Sequence, residues 1–482
     1  MGGDRHSYAV LTAMISPELL AVTMVVTMCG LLLIGYPVAV TLAGVSLIAA
    51  FAGDALGLMN VSLLGALPQR VFGVMTNEVL LAIPLFVFMG VMLERSRIAE
   101  DLLETMGRLF GSLTGGLAIA VIIVGVLLAA AKGIVGATTV TMGLIVLPTM
   151  LRHGYDPRLA AGTVAATATL AQIFPPATVL VLLGDQMSNA YQAAQLAQGI
   201  FAPQSVTVSD LFAGAIVPAL SLVALYLAFL IGVAVLFPKT SPAIPPDPDA
   251  PRGVALAVRL AQAMVAPLLL ILAVLGSILG GVATPTESAS IGAVGAILLA
   301  LARSDAGAAW VETVLVPVLA KTAQITSMIF LILIGATLFS LVFRGLGGDD
   351  LVQRGLGSLP GGVGGAILLV MIAMFLLGFV MDAFEIIFVV VPIVAPALLK
   401  MPGVDPVWLA IMMAMNLQTS YMHPPLGPTL FFLRGVAPPE ITTRHIYVRI
   451  IPFVLIQLVA LAVLWFVPGL ATWLPHALYV GR

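Results

Sequence analysis

Charge is what this chain has least of. Asp, Glu, Lys and Arg make up 9% of its 482 residues, against 61% hydrophobic, where a soluble domain carries roughly 25% charge. So little charge cannot cover a water-facing surface, and the mean hydropathy is +1.16. A soluble fold is excluded. The net charge of -2 leaves no basic face for nucleic acid. Cysteine is nearly missing: Cys29 is alone, so no intrachain disulfide forms, and an apolar run around it suits a packed thiol. Five histidines show no metal-ligand spacing. No HExxH and no GxxxxGK[ST] pattern occurs. The first apolar segment, from about Leu19, has neither a basic leader nor an A-x-A site, so it is expected to stay as a membrane helix.

What fills the chain is apolar runs of about 20 residues, the length that spans a bilayer. The fold class that follows is an all-α polytopic membrane protein. Within it the sequence occurs twice. GSLTGG at 111–116 returns as GSLPGG at 357–362, and Asp156-Pro157 returns as Asp405-Pro406, an offset of 249. Nineteen residues after each Asp stands a double proline, Pro175-Pro176 and Pro424-Pro425. Proline lacks an N–H and clashes with the preceding turn, so an apolar helix breaks there. In lipid, broken backbone survives only where protein or a water-filled cavity satisfies it. Breaks at matched positions of two repeats mark the binding site of a secondary transporter.

The repeats divide the chain. Residues 1–59 hold N-terminal membrane helices, about 18–35 and 37–53, split at Gly35-Tyr36-Pro37. Repeat one spans 60–237, with an amphipathic piece near 61–75, an apolar run at 79–93 and a charged surface helix. That helix carries Glu94, Arg95, Arg97, Glu100, Asp101, Glu104 and Arg108, whose i, i+4 pairs suit an interface. Residues 238–307 are a linker and connecting helices, the Pro-rich stretch 238–252 being exposed. Thr284-Pro285-Thr286-Glu287 reads as a helix entry with a Thr cap. Repeat two spans 308–482, its last helix ending near Pro468. Inverted repeats are expected, each with a re-entrant hairpin and a broken helix. The first tip is Gly133 to Thr139, the second Met381 to Glu385, and the second break is expected to run from Asn416 to Pro425. Asp156 and Asp405 are N-caps with proline in the first turn. Unwound carbonyls suit a cation, and the free N–H groups after each Pro-Pro suit a carboxylate.

The strings GIVGATTVTMG, LPTMLRHGYDPRLA, LLGDQ, GVATPTESA, FSLVFRGLGGD and NLQTSYMHPPLGPTLFFLRGVAPPEITT, spread over about 80–450, resemble the large, DctM-like membrane subunit of TRAP (tripartite ATP-independent periplasmic) transporters. The resemblance implies a sodium-driven, elevator-type importer in the bacterial cytoplasmic (inner) membrane. It implies a small four-helix membrane subunit and a periplasmic binding protein that delivers a small organic anion, with no cofactor beyond sodium as coupling ion. Carried over by position, one cation site would use Gly133, Gly136, Thr138 and Thr139 with Thr169 and its following backbone. A second would use Asp382 with Asn416, Gln418 and Thr419. Substrate would lie between the breaks, beside Gln172, Pro175, Pro176, Tyr421, Pro424 and Pro425. The chain departs from the family pattern at Lys132, where a small or hydroxyl residue is expected. It departs again at Ala168-Thr169-Leu170-Ala171-Gln172, where glycines are missing, and at His423, where Thr is commoner.

Each residue has a plainer reading. Lys132 replaces a sodium with its ammonium or snorkels to an interface. Asp382 binds an ion or caps the hairpin arm. His423 is proton-sensitive or a hydrogen-bonded structural group. A stand-alone anion permease is the nearer rival function. An intramembrane enzyme is the farther one. It needs facing catalytic pairs, and position 133, the counterpart of Asp382, is glycine. No enzyme activity is expected.

Overall fold

The computed structural model describes residues 16–96, 102, 105–107, 109–132, 135–244, 254–303 and 310–479. Among them every regular element is helical. Seven described helices are long and apolar enough to cross a membrane, or eight if one bent pair counts as a span.

Local chemistry sets the helix ends. In α1 (Pro17–Ile34) the Ser16 side chain accepts from Leu19 N, and the helix stops at Gly35, φ 98°, a left-handed position that only glycine takes freely. Then come α2 (Val38–Ala55), α3 (Leu67–Met75) and α4 (Ala82–Arg95). Glu94 and Arg95, expected on a separate charged helix, close α4 instead. Arg97, Glu100, Asp101, Glu104 and Arg108 lie outside the described residues.

Repeat one continues through α5 (Gly116–Lys132), α6 (Val135–Arg152), α7 (Pro157–Thr169), a 3-10 turn (Leu170–Gln172), α8 (Thr178–Ala197) and α9 (Val208–Leu236). Asp156 caps α7, accepting from Arg158 N at 2.8 Å and Leu159 N at 3.3 Å. After α10 (Val254–Leu279) comes α11 (Pro285–Ala302), opened by a capping box of Thr284 and Glu287. Repeat two runs α12 (Val316–Gly345), α13 (Gly348–Gly357), α14 (Gly362–Leu377), α15 (Ala383–Val389), α16 (Val391–Leu399), α17 (Pro406–Met422), α18 (Pro428–Val436) and α19 (Thr443–Phe466). The order α5 to α9 thus returns as α14 to α19, with the second hairpin arm split in two. One further helix, α20 (Gly469–Tyr479), follows Pro468. That proline ends α19 and also opens α20, its carbonyl accepting from Ala471 and Thr472.

The Pro-rich stretch is not wholly exposed. Gly115 N donates to Ser241 O at 2.8 Å, Ile244 N to Gly111 O at 2.6 Å and Asp156 N to Thr240 O at 2.9 Å. Residues 238–244 are therefore pinned along the GSLTGG turn. Residues 245–253 lie outside the described set.

Contacts sort the chain into two compact units, neither continuous. The first comprises the described parts of Met1–Asn77, Asp185–Ser205 and Ser327–Pro406. In it α1 packs on α2, and α13 packs on α1, α14 and α16. Arg344–Asp349 and Arg354–Glu18 ion pairs close at 3.2 Å each. The second comprises Glu78–Gly184, Val206–Thr326 and Val407–Arg482. Its centre is α7, buried from Leu159 to Thr169 and packed on α5, α6, α18 and α19. Small residues allow this closeness. A Cβ at Gly162 would sit 2.8 Å from Arg449 O, and one at Gly125 only 1.7 Å from Thr167 Cγ2.

Candidate transport site

The first break lies between α7 and α8. The α-helix ends at Thr169, tightens into the 3-10 turn and resumes at Thr178. Pro175 and Pro176 are joined by a cis bond and both are buried. Gln172 is 2% exposed, and its Oε1 has no hydrogen-bond partner.

The second break is shorter. The sequence reading unwinds it from Asn416, yet α17 stays helical through Met422 and only residues 423–427 interrupt it. Polar side chains here turn back on their own helix. Thr419 Oγ1 donates to Met415 O at 2.9 Å and Ser420 Oγ to Leu417 O at 2.8 Å. Such back-bonding lets hydroxyls sit in a buried helix. Asn416, Gln418, Thr419 and Tyr421 are all buried. Pro424-Pro425 is also cis, but Pro425 is exposed. His423 Nδ1 pairs with the Pro424 carbonyl, and Tyr447 OH donates to Pro425 O at 2.8 Å.

The hairpin tips also differ from the sequence reading. Gly136, Thr138 and Thr139 belong to the first turn of α6, which starts at Val135, so the first tip is shorter than expected. A Cβ on Gly136 would lie 3.1 Å from the Phe432 ring of α18. Thr138 and Thr139 are buried, and Thr139 Oγ1 donates to Val135 O at 2.8 Å. Gly133 and the Lys132 side chain lie outside the described residues. Asp382, in the first unit, is the N-cap of α15. It accepts from Ala383 N, while Glu385 Oε2 accepts from Asp382 N at 2.8 Å. That is a full capping box.

In the second unit the helices that lead into the two breaks touch. Gln418 Nε2 donates to Thr169 Oγ1 at 3.4 Å. Gln457, on α19, donates to the same oxygen at 3.3 Å. Tyr226 of α9 is buried nearby, edge-on to Phe453 at 5.4 Å. Sequence reasoning missed Gln457. Its signal was present, because it is the single amide or charged side chain between Arg449 and Phe466, and an intramembrane polar group is functional by default.

In a chain with seven membrane-length helices among the described residues, breaks at two matched points mark a membrane transport protein. The half-helices recur in one order along most of the chain. The chain belongs to the DctM family: the sequence pattern described as "Tripartite ATP-independent periplasmic transporter, DctM component" matches residues 25–470. Relatives include the C4-dicarboxylate TRAP transporter large permease protein DctM of Vibrio cholerae, 28% identical over 82% of this chain and 84% of that protein. The ectoine TRAP transporter large permease protein TeaC of Halomonas elongata is 25% identical over 94% of this chain and 98% of its own. The isethionate TRAP transporter permease protein DctMQ of Oleidesulfovibrio alaskensis is 25% identical over 80% of this chain but 56% of its own length. The solved YdaH transporter of Alcanivorax borkumensis shares the fold, with a TM-score of 0.60 over 97% of this chain and all of that one, at 17% identity. These relatives are permeases and not enzymes. The chain is a multi-pass protein of the bacterial inner membrane.

Proposed function

We propose that this permease imports a small organic acid with sodium, taking the solute from a periplasmic binding protein and working beside a small four-helix membrane subunit. The observation that carries the reading is the contact, at Thr169 and Gln418, between the two helices that lead into the breaks. Substrate lies by the breaks, with Gln172, Pro175 and Pro176 at the first and Tyr421, Pro424 and Pro425 at the second. The first turns of α8 and α18 leave N–H groups without helical partners, which suits a carboxylate. Oxygens for a small cation come, in the second unit, from Thr138, Thr139, Thr169, Asn416, Gln418 and Thr419. In the first unit Asp382 supplies a carboxylate. The relatives' names carry C4-dicarboxylate, ectoine and isethionate, so likeness to them supports an acid as the class and leaves the solute open.

The test is uptake into proteoliposomes holding this chain with its candidate small subunit. A candidate binding protein loaded with a labelled organic acid is added outside under an inward sodium gradient. Uptake that needs both the gradient and the binding protein is the expected result. Uptake without the binding protein identifies a stand-alone permease. Uptake driven by protons and indifferent to sodium overturns the sodium assignment.

A further inference from the structure

Thr169 and Gln418 occupy the same position of the two repeats, 249 residues apart, and they touch. Where two copies are related by a twofold, a residue meets its own counterpart on the axis. With the inverted repeats expected from the sequence, the internal pseudo-twofold axis passes through this hydrogen bond. The two sides are unequal, a hydroxyl facing an amide, and Gln457 adds a third group from α19.

The donor count is revealing. Thr169 gives its own proton to Ala166 O at 2.9 Å and accepts from both glutamines, which uses all the capacity of a hydroxyl. Gln418 Oε1, Gln457 Oε1 and, at the first break, Gln172 Oε1 are buried and unpaired, and so is the Tyr226 hydroxyl that lies against Gln457 and Thr169. Unpaired acceptors in a low-dielectric interior are unfavourable. Two amides that share one hydroxyl and leave both oxygens empty have a second arrangement open to them. Coupling between sites needs such a two-state element.

We infer that Gln457 is a positioning residue for transport: through the shared Thr169 hydroxyl it ties the edge of the first break to α17, the helix that leads into the second, and the unpartnered amide oxygens give that link its alternative state. The inference rests on the transport reading above and deepens it.

Hydrogen exchange on the purified full-length protein tests the link without any solute. Gln457→Met keeps the volume and removes the amide. Gln457→Asn stays polar but is too short to reach Thr169. Thr169→Val removes the hydroxyl, and Thr169→Ser restores it. The first three variants are expected to raise exchange across residues 416–427 about threefold or more while leaving α11 unchanged. Thr169→Ser stays at the wild-type rate. Faster exchange confined to the substituted helix, α19 or α7, with 416–427 unmoved, overturns the coupling. Should one glutamine variant fail to fold, the other decides. If wild-type uptake proves independent of sodium, the sodium assignment falls by the proteoliposome test alone, and the exchange result still decides whether Gln457 makes that link.

Discussion

The first break is wide and almost wholly buried, whereas the second is narrow and half open to its surroundings. Both carry the same punctuation, an Asp-Pro helix start and a double proline nineteen residues later. The difference lies in what surrounds the prolines. In repeat one α7 ends early in a 3-10 turn, so eight residues lie between its α-helical halves. In repeat two α17 holds to Met422, and five residues must turn the chain. That tighter path needs Gly427, whose N–H returns to His423 O at 2.9 Å. A Cβ there would lie 2.6 Å from Tyr421 O and 2.8 Å from His423 N. The counterpart of Gly427, by the same offset, is Thr178, a β-branched residue that the wider path accommodates. Matched prolines thus fix where a helix breaks, and the neighbours decide how tightly.

The largest effect that can break this contrast is an exchange at that pair. Gly427→Ala is expected to cost about 2–4 kcal/mol, since the clash is with backbone atoms that cannot step aside. Thr178→Gly should cost about 1 kcal/mol, a few tenths from helix propensity and the rest from the buried side chain it removes. Thermal unfolding in detergent measures both, and equal losses would end the distinction between wide and narrow breaks. Next comes the hairpin arm. Asp382→Ala should lose about 0.5–2 kcal/mol with the α15 cap, while Asp382→Asn, which still accepts from the backbone, should keep the melting temperature. If Asp382→Asn also abolishes sodium-dependent uptake, the carboxylate acts on the cation as well as on the helix. Repeat one has Gly133 at this position and no side chain to lose.

A smaller effect is expected at the open side of the second break. Tyr447→Phe deletes one hydrogen bond to Pro425 O, worth about 1 kcal/mol, and exchange near 423–427 should quicken while the first break is unchanged. The smallest contrast is between the caps of α9 and α19. Thr207 shares its capping box with the Asp210 carboxylate, at 2.7–2.8 Å, and Thr442 shares its own with the His445 ring, at 3.4 Å. Thr207→Ala should cost about 1 kcal/mol and Thr442→Ala a few tenths less, readable as paired shifts in unfolding midpoint.

Much of this was legible before any coordinates. The Asp156-Pro157 cap, the Gly35 stop, the threonine-capped helix entry at Thr284-Pro285 and both double-proline breaks are local, and each follows from the chemistry of one or two adjacent residues. The extent of the second break was not legible. Asn416, Gln418, Thr419 and Ser420 look like the polar lining of unwound chain, but hydroxyls that bond to carbonyls of their own helix leave no periodicity that distinguishes the two. The role of 238–244 was hidden for the opposite reason. Prolines signal a solvent-borne linker, yet the residues between them pair with the neighbouring turn, Ser241 O accepting from Gly115 N and Ile244 N donating to Gly111 O. Gln457 was visible as a lone amide in an apolar run. Its partner, 288 residues earlier, depends on how α19 lies along α7, which no local pattern encodes.

The interleaving of the two compact units has a consequence in time. Helices α1 and α2 leave the ribosome early, but the rest of their unit resumes mainly at Ser327 and is completed only at Pro406. At about 5–20 residues per second, the roughly 250 residues between Asn77 and Ser327 occupy some 10–50 s. During that wait the N-terminal pair sits in lipid without the segment it will pack against. Its outward apolar side chains, among them Val26, Leu33 and Ile48, are what make that interval survivable.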